Sequence, residues 1–200
     1  MAESIFIVDD DPDIRDSLSM LLQSAGYATS TFESATALLD SPAPDTSGCL
    51  IVDVQMPEMD GITLQKELVE RRSPLQVIVM TGHADIPIAV GAMKAGAVDF
   101  LEKPFDEPVL LESVRRALDR ATSAGDLAKE SRGAAARLAL LTERERQVLD
   151  LIVAGKANKV IAHELSISPR TVEIHRARVM EKMDAGNLAD LVRKALSIPS

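Results

Sequence analysis

Four short apolar runs each lead to a polar residue able to do chemistry. Ser4-Ile5-Phe6-Ile7-Val8 ends on Asp9-Asp10-Asp11, and Cys49-Leu50-Ile51-Val52 ends on Asp53. Val77-Ile78-Val79-Met80 ends on Thr81, and Ala97-Val98-Asp99-Phe100-Leu101 is followed shortly by Lys103. Acids, a hydroxyl and an amine together suit a divalent cation and a phosphoryl group. Unpaired carboxylates held close repel one another, and a hard cation such as Mg²⁺ relieves the repulsion with a few carboxylates, waters and a phosphoryl oxygen. An aspartate can accept a phosphoryl group as a nucleophile. Thr81 can hydrogen-bond a phosphoryl oxygen, and Lys103 can neutralise its charge as a compact cation.

The elements that would bring these residues together follow from the apolar pattern. Continuous apolar runs of this length suit the strands of a parallel sheet buried on both faces. Helical periodicity lies between them: Asp13–Ala25, about Ser34–Leu39, Ile62–Glu70, Ile86–Lys94 and Glu107–Arg120. Tyr27–Phe32 is a fainter strand signal. Strands alternating with helices imply right-handed βαβ units. The expected fold is α/β and flavodoxin-like, with five parallel strands in the order 2-1-3-4-5. Ligands of such sheets bind outside the carboxyl ends of the strands, at the switch point between strands 1 and 3. The two most acidic strand ends, Asp9–Asp11 and Asp53, meet there.

Composition limits the alternatives. The chain has 200 residues, 46% apolar and 26% charged, within the ordinary range for globular sequences. No apolar stretch approaches the roughly 18 residues of a membrane span. Met-Ala-Glu-Ser is not a basic segment leading into an apolar one, so no secretory signal is read. The single cysteine, Cys49, sits in an apolar run and reads as a buried small hydrophobe. A cytoplasmic protein is expected. No GxGxxG follows strand 1 and no GxxxxGK[ST] occurs, so no nucleotide loop is expected. His83, His163 and His175 are too scattered for a transition-metal site. The net charge of −9 is uneven: residues 1–120 hold 9 Lys and Arg against 21 Asp and Glu, whereas residues 121–200 hold 13 against 10. Two domains with different partners are expected.

Residues 121–137 are small and charged, which suits a linker, in part helical. Residues 138–200 show only helical patterns. Thr142-Glu143-Arg144-Glu145 matches a capping box, and Gly155 follows the helix it opens. A second helix covers Lys159–Leu165. After the tight turn Ser166-Ile167, Ser168-Pro169 supply an N-cap and an N1 proline for a third helix reaching Met183. A fourth starts near Asn187. Two short helices joined by a tight turn make a helix-turn-helix. On the third helix, Val172, His175, Val179 and Met183 share the expected core face, with His175 read as a hydrogen-bonded core histidine. Arg170, Ile174, Ala177 and Glu181 lie opposite, flanked by Glu173 and Arg178. That outward chemistry suits a DNA groove: arginine for guanine or phosphate, Glu173 for a cytosine amine, Ile174 and Ala177 for a thymine methyl. Arg176 lies nearer the core face, from which its long side chain could snorkel to a phosphate.

Two resemblances rest on these residues. Asp9-Asp10-Asp11, Asp53-Val-Gln-Met-Pro57-Glu-Met-Asp60-Gly61, Thr81-Gly82-His83 and Lys103-Pro104-Phe105 resemble the motifs of the receiver domain of two-component response regulators. With the run Ala-Met-Lys-Ala-Gly-Ala-Val-Asp-Phe-Leu-Glu before Lys103, the segment is most similar to FixJ-type regulators. Leu141–Leu149, Gly155–Ala162 and Ser168–His175 resemble the LuxR/NarL-type DNA-binding domain. The first resemblance implies Asp53 as phosphoacceptor. It implies Mg²⁺ held by Asp10, Asp53 and the backbone carbonyl of Gln55, with Asp9 assisting. Thr81 and Phe100 become a coupled switch pair, Lys103 the contact to the phosphoryl group, and the Lys103–Pro104 bond cis. The second implies Pro169–Met183 as recognition helix and Asn158 and Lys159 near the phosphate backbone; with Ser168, Arg170, Thr171, Glu173, Ile174, Arg176, Ala177 and Arg178 they make up the expected DNA-facing set.

The expected protein is a phosphorylation-controlled transcriptional regulator, not an enzyme. Its expected partners are a sensor histidine kinase, promoter DNA and a second copy of the chain, with RNA polymerase a further candidate and no membrane. Dimerisation is expected through the helix at residues 85–95 and the strand at 97–101. A haloacid-dehalogenase-type phosphatase also uses an aspartyl phosphate, but needs a second acid where Gln55 stands. A DNA-binding protein using its receiver only as a constitutive dimerisation module is the other alternative.

Overall fold

The computed structural model describes residues 4–82, 86–122 and 137–197. His83, the last residue of the Thr-Gly-His motif, Asp85 and residues 123–136 of the expected linker lie outside the described residues. The chain forms two compact units, Met1–His83 with Ala95–Ser123, and Ala84–Lys94 with Ala124–Ser200.

The first unit is built on β1 (Ser4–Val8), β2 (Ala28–Phe32), β3 (Gly48–Asp53), β4 (Leu75–Thr81) and β5 (Asp99–Glu102). The sheet is parallel throughout, in the order β2-β1-β3-β4-β5, as its sequence pattern requires. Its helices are α1 (Pro12–Ser24), α2 (Ala35–Leu39), α3 (Gly61–Glu70) and α5 (Glu107–Thr122). The helix α4 (Ile86–Lys94) falls in the second unit. Every residue of β3 is buried, which is why it is apolar up to Asp53. Ile5, Ile7, Cys49, Ile51, Ile78 and Met80 face Leu18 and Leu22 of α1 and Leu110, Val114 and Leu118 of α5. Burial of Cys49 pushes its thiol pKa up, as suits an inert core residue.

Two strand boundaries differ from expectation. β5 begins at Asp99 rather than Ala97: Val98 already donates to the carbonyl of Val77 at 2.7 Å, but the ladder starts with Ile78 opposite Asp99. Ala97 and Val98 instead carry the chain out of the left-handed Gly96 (φ 95°) into the sheet. β2 begins at Ala28 because the amide of Tyr27 is used on the carbonyl of Leu22, closing α1.

The second unit also holds α6 (Glu143–Val153), α7 (Asn158–Glu164), α8 (Pro169–Lys182) and α9 (Leu188–Leu196). Three of these four starts are written locally. Thr142 and Glu145 complete a capping box on α6, Ser168 caps α8 ahead of Pro169, and Asn187 caps α9. Gly155 takes φ 80° just past α6, a conformation that suits glycine. Between α7 and α8, Ser166 adopts φ 53° and Ile167 donates to Ala162 at 2.9 Å, closing the tight turn. Among the described residues no helix is long and apolar enough to cross a membrane.

Candidate functional site

Parallel pairing sets the first site. Val8 is opposite Val52, so Asp9 and Asp53 leave adjacent strands at the same level. Asp9 and Asp53 are both buried. They are not unpaired, as the sequence suggested: Lys103 reaches between them, its Nζ donating to Asp9 Oδ2 at 2.7 Å and to Asp53 Oδ1 at 2.6 Å. The remaining oxygens are engaged by backbone. Asp11 N donates to Asp9 Oδ1 at 3.0 Å, and Gln55 N to Asp53 Oδ2 at 2.5 Å. Burial works against the Lys103 charge, but hydrogen bonds and attraction from Asp53 and Asp9 outweigh it and hold the ammonium pKa above its ordinary value.

The loop bearing the lysine is pinned to the sheet. Lys103 N donates to the carbonyl of Thr81 at 2.7 Å, and the Lys103–Pro104 bond is cis. Thr81 ends β4 and is fully buried. Phe100 is buried on β5 opposite Val79, on the same sheet face as Thr81. Asp10, by contrast, is exposed at the rim. The structure thus gathers Asp9, Asp53, Lys103 and Thr81 at the carboxyl edge of β1, β3 and β4, with Asp10 and Gln55 beside them in the chain.

Two supporting residues went unread in the sequence. Arg15, in the first turn of α1, donates through Nη1 to the carbonyl of Asp9 at 2.8 Å and of Asp10 at 3.1 Å. A cation is poorly placed against a helix N-terminus. These two carbonyls explain it, and they fix the turn from which both carboxylates project. Gly61, quoted only as part of a motif, sits against Asp53: a Cβ there would lie 2.2 Å from the Asp53 carbonyl oxygen. Only glycine allows α3 to start that close to the acid-bearing strand end.

The second site is the outer face of α8. Val172, Val179 and Met183 are fully buried, while Arg170, Glu173, Ile174, Ala177 and Arg178 are exposed. Arg170 pairs with Glu173 at 3.2 Å across one turn of that face. Ser168 is exposed, Thr171 half-buried, and Lys159 is exposed on α7. Two readings change. His175 is half-buried, and its Nδ1 finds no partner among the described residues. Arg176 does not snorkel outward: its Nη1 donates to Asn158 Oδ1 on α7 at 3.1 Å. Burial lowers its pKa, against an opposing attraction from Glu173. Below the face, Glu145 anchors α8 to α6. It is buried, and its Oε2 accepts from Lys182 Nζ at 2.7 Å and from Thr142 N at 2.8 Å. The Lys182 and Thr142 bonds, opposed by burial, bring its pKa down to about 2.

Comparison with known proteins matches both units. The response regulator receiver domain family covers residues 5–115, and the luxR family of bacterial regulatory proteins covers residues 139–195. The transcriptional regulatory protein FixJ of Azorhizobium caulinodans is 50% identical over 96% of this chain and 91% of its own. FixJ of Rhizobium meliloti is 48% identical over 97% and 95%. The response regulator protein TmoT of Ectopseudomonas mendocina is 44% identical over 94% and 86%. Among solved structures, full-length FixJ from B. japonicum is 47% identical, with a TM-score of 0.58 over 98% of this chain and 96% of that one. These relatives are regulators, not enzymes. With a receiver fold bearing the acid–lysine pocket and a helix-turn-helix unit later in the sequence, the chain belongs to the two-component response regulators, as a FixJ-like member that joins a receiver domain to a LuxR-type DNA-binding domain.

Proposed function

We propose that Asp53 accepts a phosphoryl group from a sensor histidine kinase and that this event controls promoter binding by the C-terminal helices. The observation that carries the reading is the Lys103 bridge between Asp9 and Asp53 beside the buried Thr81. One Asp53 oxygen faces an ammonium suited to a transferred phosphoryl group, and a hydroxyl stands at the next strand end. A receiver role is assigned to residues 1–120, a linker role to 121–137 and DNA binding to 138–200. A regulator of promoters works in the cytoplasm.

The donor chemistry fits Mg²⁺. Asp9, Asp10 and Asp53 supply hard carboxylate oxygens and Gln55 a backbone carbonyl. Among the described residues no three acid or imidazole side chains already converge on one point. That suits an ion which takes one or two carboxylates and completes its shell with water and phosphate. Bound there, Mg²⁺ would supply positive charge to the phosphoryl oxygens. This chain's own residues do the rest: an Asp53 carboxylate oxygen attacks phosphorus as its bond to the kinase's histidine nitrogen breaks and the imidazole leaves, Lys103 follows the charge, Thr81 donates to an oxygen of the transferred phosphoryl group, and Phe100 moves with Thr81. Receiver dimerisation, expected through the segments at 85–95 and 97–101, then pairs two DNA-binding units on a promoter. Asn158, Lys159, Ser168, Arg170, Thr171, Glu173, Ile174, Ala177 and Arg178 are the proposed DNA-facing set, with α8 in the major groove. RNA polymerase is a further proposed partner.

Intact-mass measurement after acetyl phosphate and Mg²⁺ should show one added phosphoryl group on the wild type and none on Asp53→Asn. Size-exclusion chromatography should show the wild type alone moving to a dimer. An unmodified wild type, or an equal shift in Asp53→Asn, overturns the proposal.

A further inference from the structure

The recognition helix is tied to the preceding helix by one side-chain hydrogen bond, from Arg176 Nη1 to Asn158 Oδ1. A guanidinium has donors only, so the carboxamide must turn its oxygen toward Arg176. Its two N–H donors then point the other way. Asn158 is half-buried in the first turn of α7, next to the exposed Lys159, and α7 has no side-chain N-cap at Ala157. Arg176 itself is half-buried and stands off the exposed stripe formed by Arg170, Ile174 and Ala177.

We infer that Arg176 is a positioning residue: it fixes the orientation of the Asn158 carboxamide so that the amide N–H groups face a DNA phosphate, and it does not contact DNA itself. This rests on the DNA-facing reading of α7 and α8 given above. A freely rotating Asn158 would present an oxygen to the phosphate as readily as a donor. An oxygen there repels. The bond to Arg176 removes that choice and also sets the spacing of α7 and α8 on their outward side. Recognition therefore depends on a buried-side arginine that touches neither base nor backbone.

The test uses the full chain treated with acetyl phosphate and Mg²⁺, and a fluorescent duplex enriched by the wild type from a random-sequence pool. Fluorescence anisotropy is recorded over a series of salt concentrations. Arg176→Ala and Asn158→Ala should each weaken binding about tenfold, the scale of a hydrogen bond to a charged group. The double variant should be no weaker than either single, because the two act as a unit. The slope of log affinity against log salt should be unchanged in Arg176→Ala, since no phosphate-bound cation is lost. Asn158→Asp separates positioning from structure. It keeps, and strengthens, the partner of Arg176, so its thermal midpoint should not fall. It nevertheless puts an acceptor in front of the phosphate, and should bind more weakly than Asn158→Ala. Additive single effects, a salt slope reduced by about one per subunit in Arg176→Ala, or wild-type binding by Asn158→Asp each overturn the inference. Failure of the wild type to enrich any duplex instead counts against the DNA-facing reading beneath it.

Discussion

At the scale of single residues, the pocket is a charge arrangement held from several sides. Lys103 bridges two buried carboxylates, and its loss strands both. Lys103→Met should lower stability in chelator by about 3 kcal/mol, as expected when a buried pair loses one partner. Added Mg²⁺ should restore more stability to this variant than to the wild type, because it returns positive charge to the same oxygens. Thermal unfolding with and without Mg²⁺ measures both. The sign with pH follows from the raised lysine pKa. The ion pair contributes fully below the ordinary lysine range and is lost as pH rises through the raised value. Asp9, Asp53, Thr81 and Lys103 were legible because strand ends are marked by where apolar runs stop. Arg15 and Gly61 were not. One works through backbone carbonyls and the other through the space a side chain would fill, and neither leaves a pattern in the chain. The Asn158–Arg176 bond was hidden for a related reason: 18 residues separate the partners, and each alone resembles a phosphate contact.

At the scale of elements, capping chemistry placed the starts of α6, α8 and α9 to within a residue or two, because an N-cap is a local interaction. Glu145 does more than cap. Its one carboxylate closes the start of α6 and holds Lys182 in the last turn of α8. The folded pKa of about 2 lies below the unfolded value, so this contribution is complete above ordinary carboxylate pKa values. It is lost as pH falls toward 2. In Glu145→Gln the acid-induced loss of helical circular dichroism below roughly pH 4.5 should be shallower than in the wild type, with a lower midpoint at neutral pH. An identical acid limb in both proteins would remove Glu145 from this role. β2 was the faintest strand in the sequence, and β5, though marked by an apolar run, starts two residues later than that run. Both lie at sheet edges, where one flank has no neighbour, and β2 carries no continuous apolar run.

At the scale of the whole molecule, the charge asymmetry sets the terms of DNA binding. The chain carries −9 overall, with only a small excess of Lys and Arg after residue 121. Such a protein has little general attraction to a polyanion. On an arbitrary duplex, binding should be weak and vanish as salt rises to physiological strength. On an enriched duplex, the acetyl phosphate-treated protein should bind steeply with protein concentration, as the proposed pairing of two subunits requires. Anisotropy titrations distinguish this from a shallow, single-subunit isotherm.

The faintness of β2 has its own consequence. A parallel sheet with open edges offers unpaired amides and carbonyls to any passing strand, a route to aggregation. β2 reads Ala-Thr-Ser-Thr-Phe, and Thr29 already shares hydrogen bonds with Ser19 and Gln23 of α1. An edge strand made largely of hydroxyl residues, one of them already engaged by α1, gives an incoming strand little apolar surface to bury. The segment hardest to recognise as a strand is thus the one that suits the end of a sheet of five.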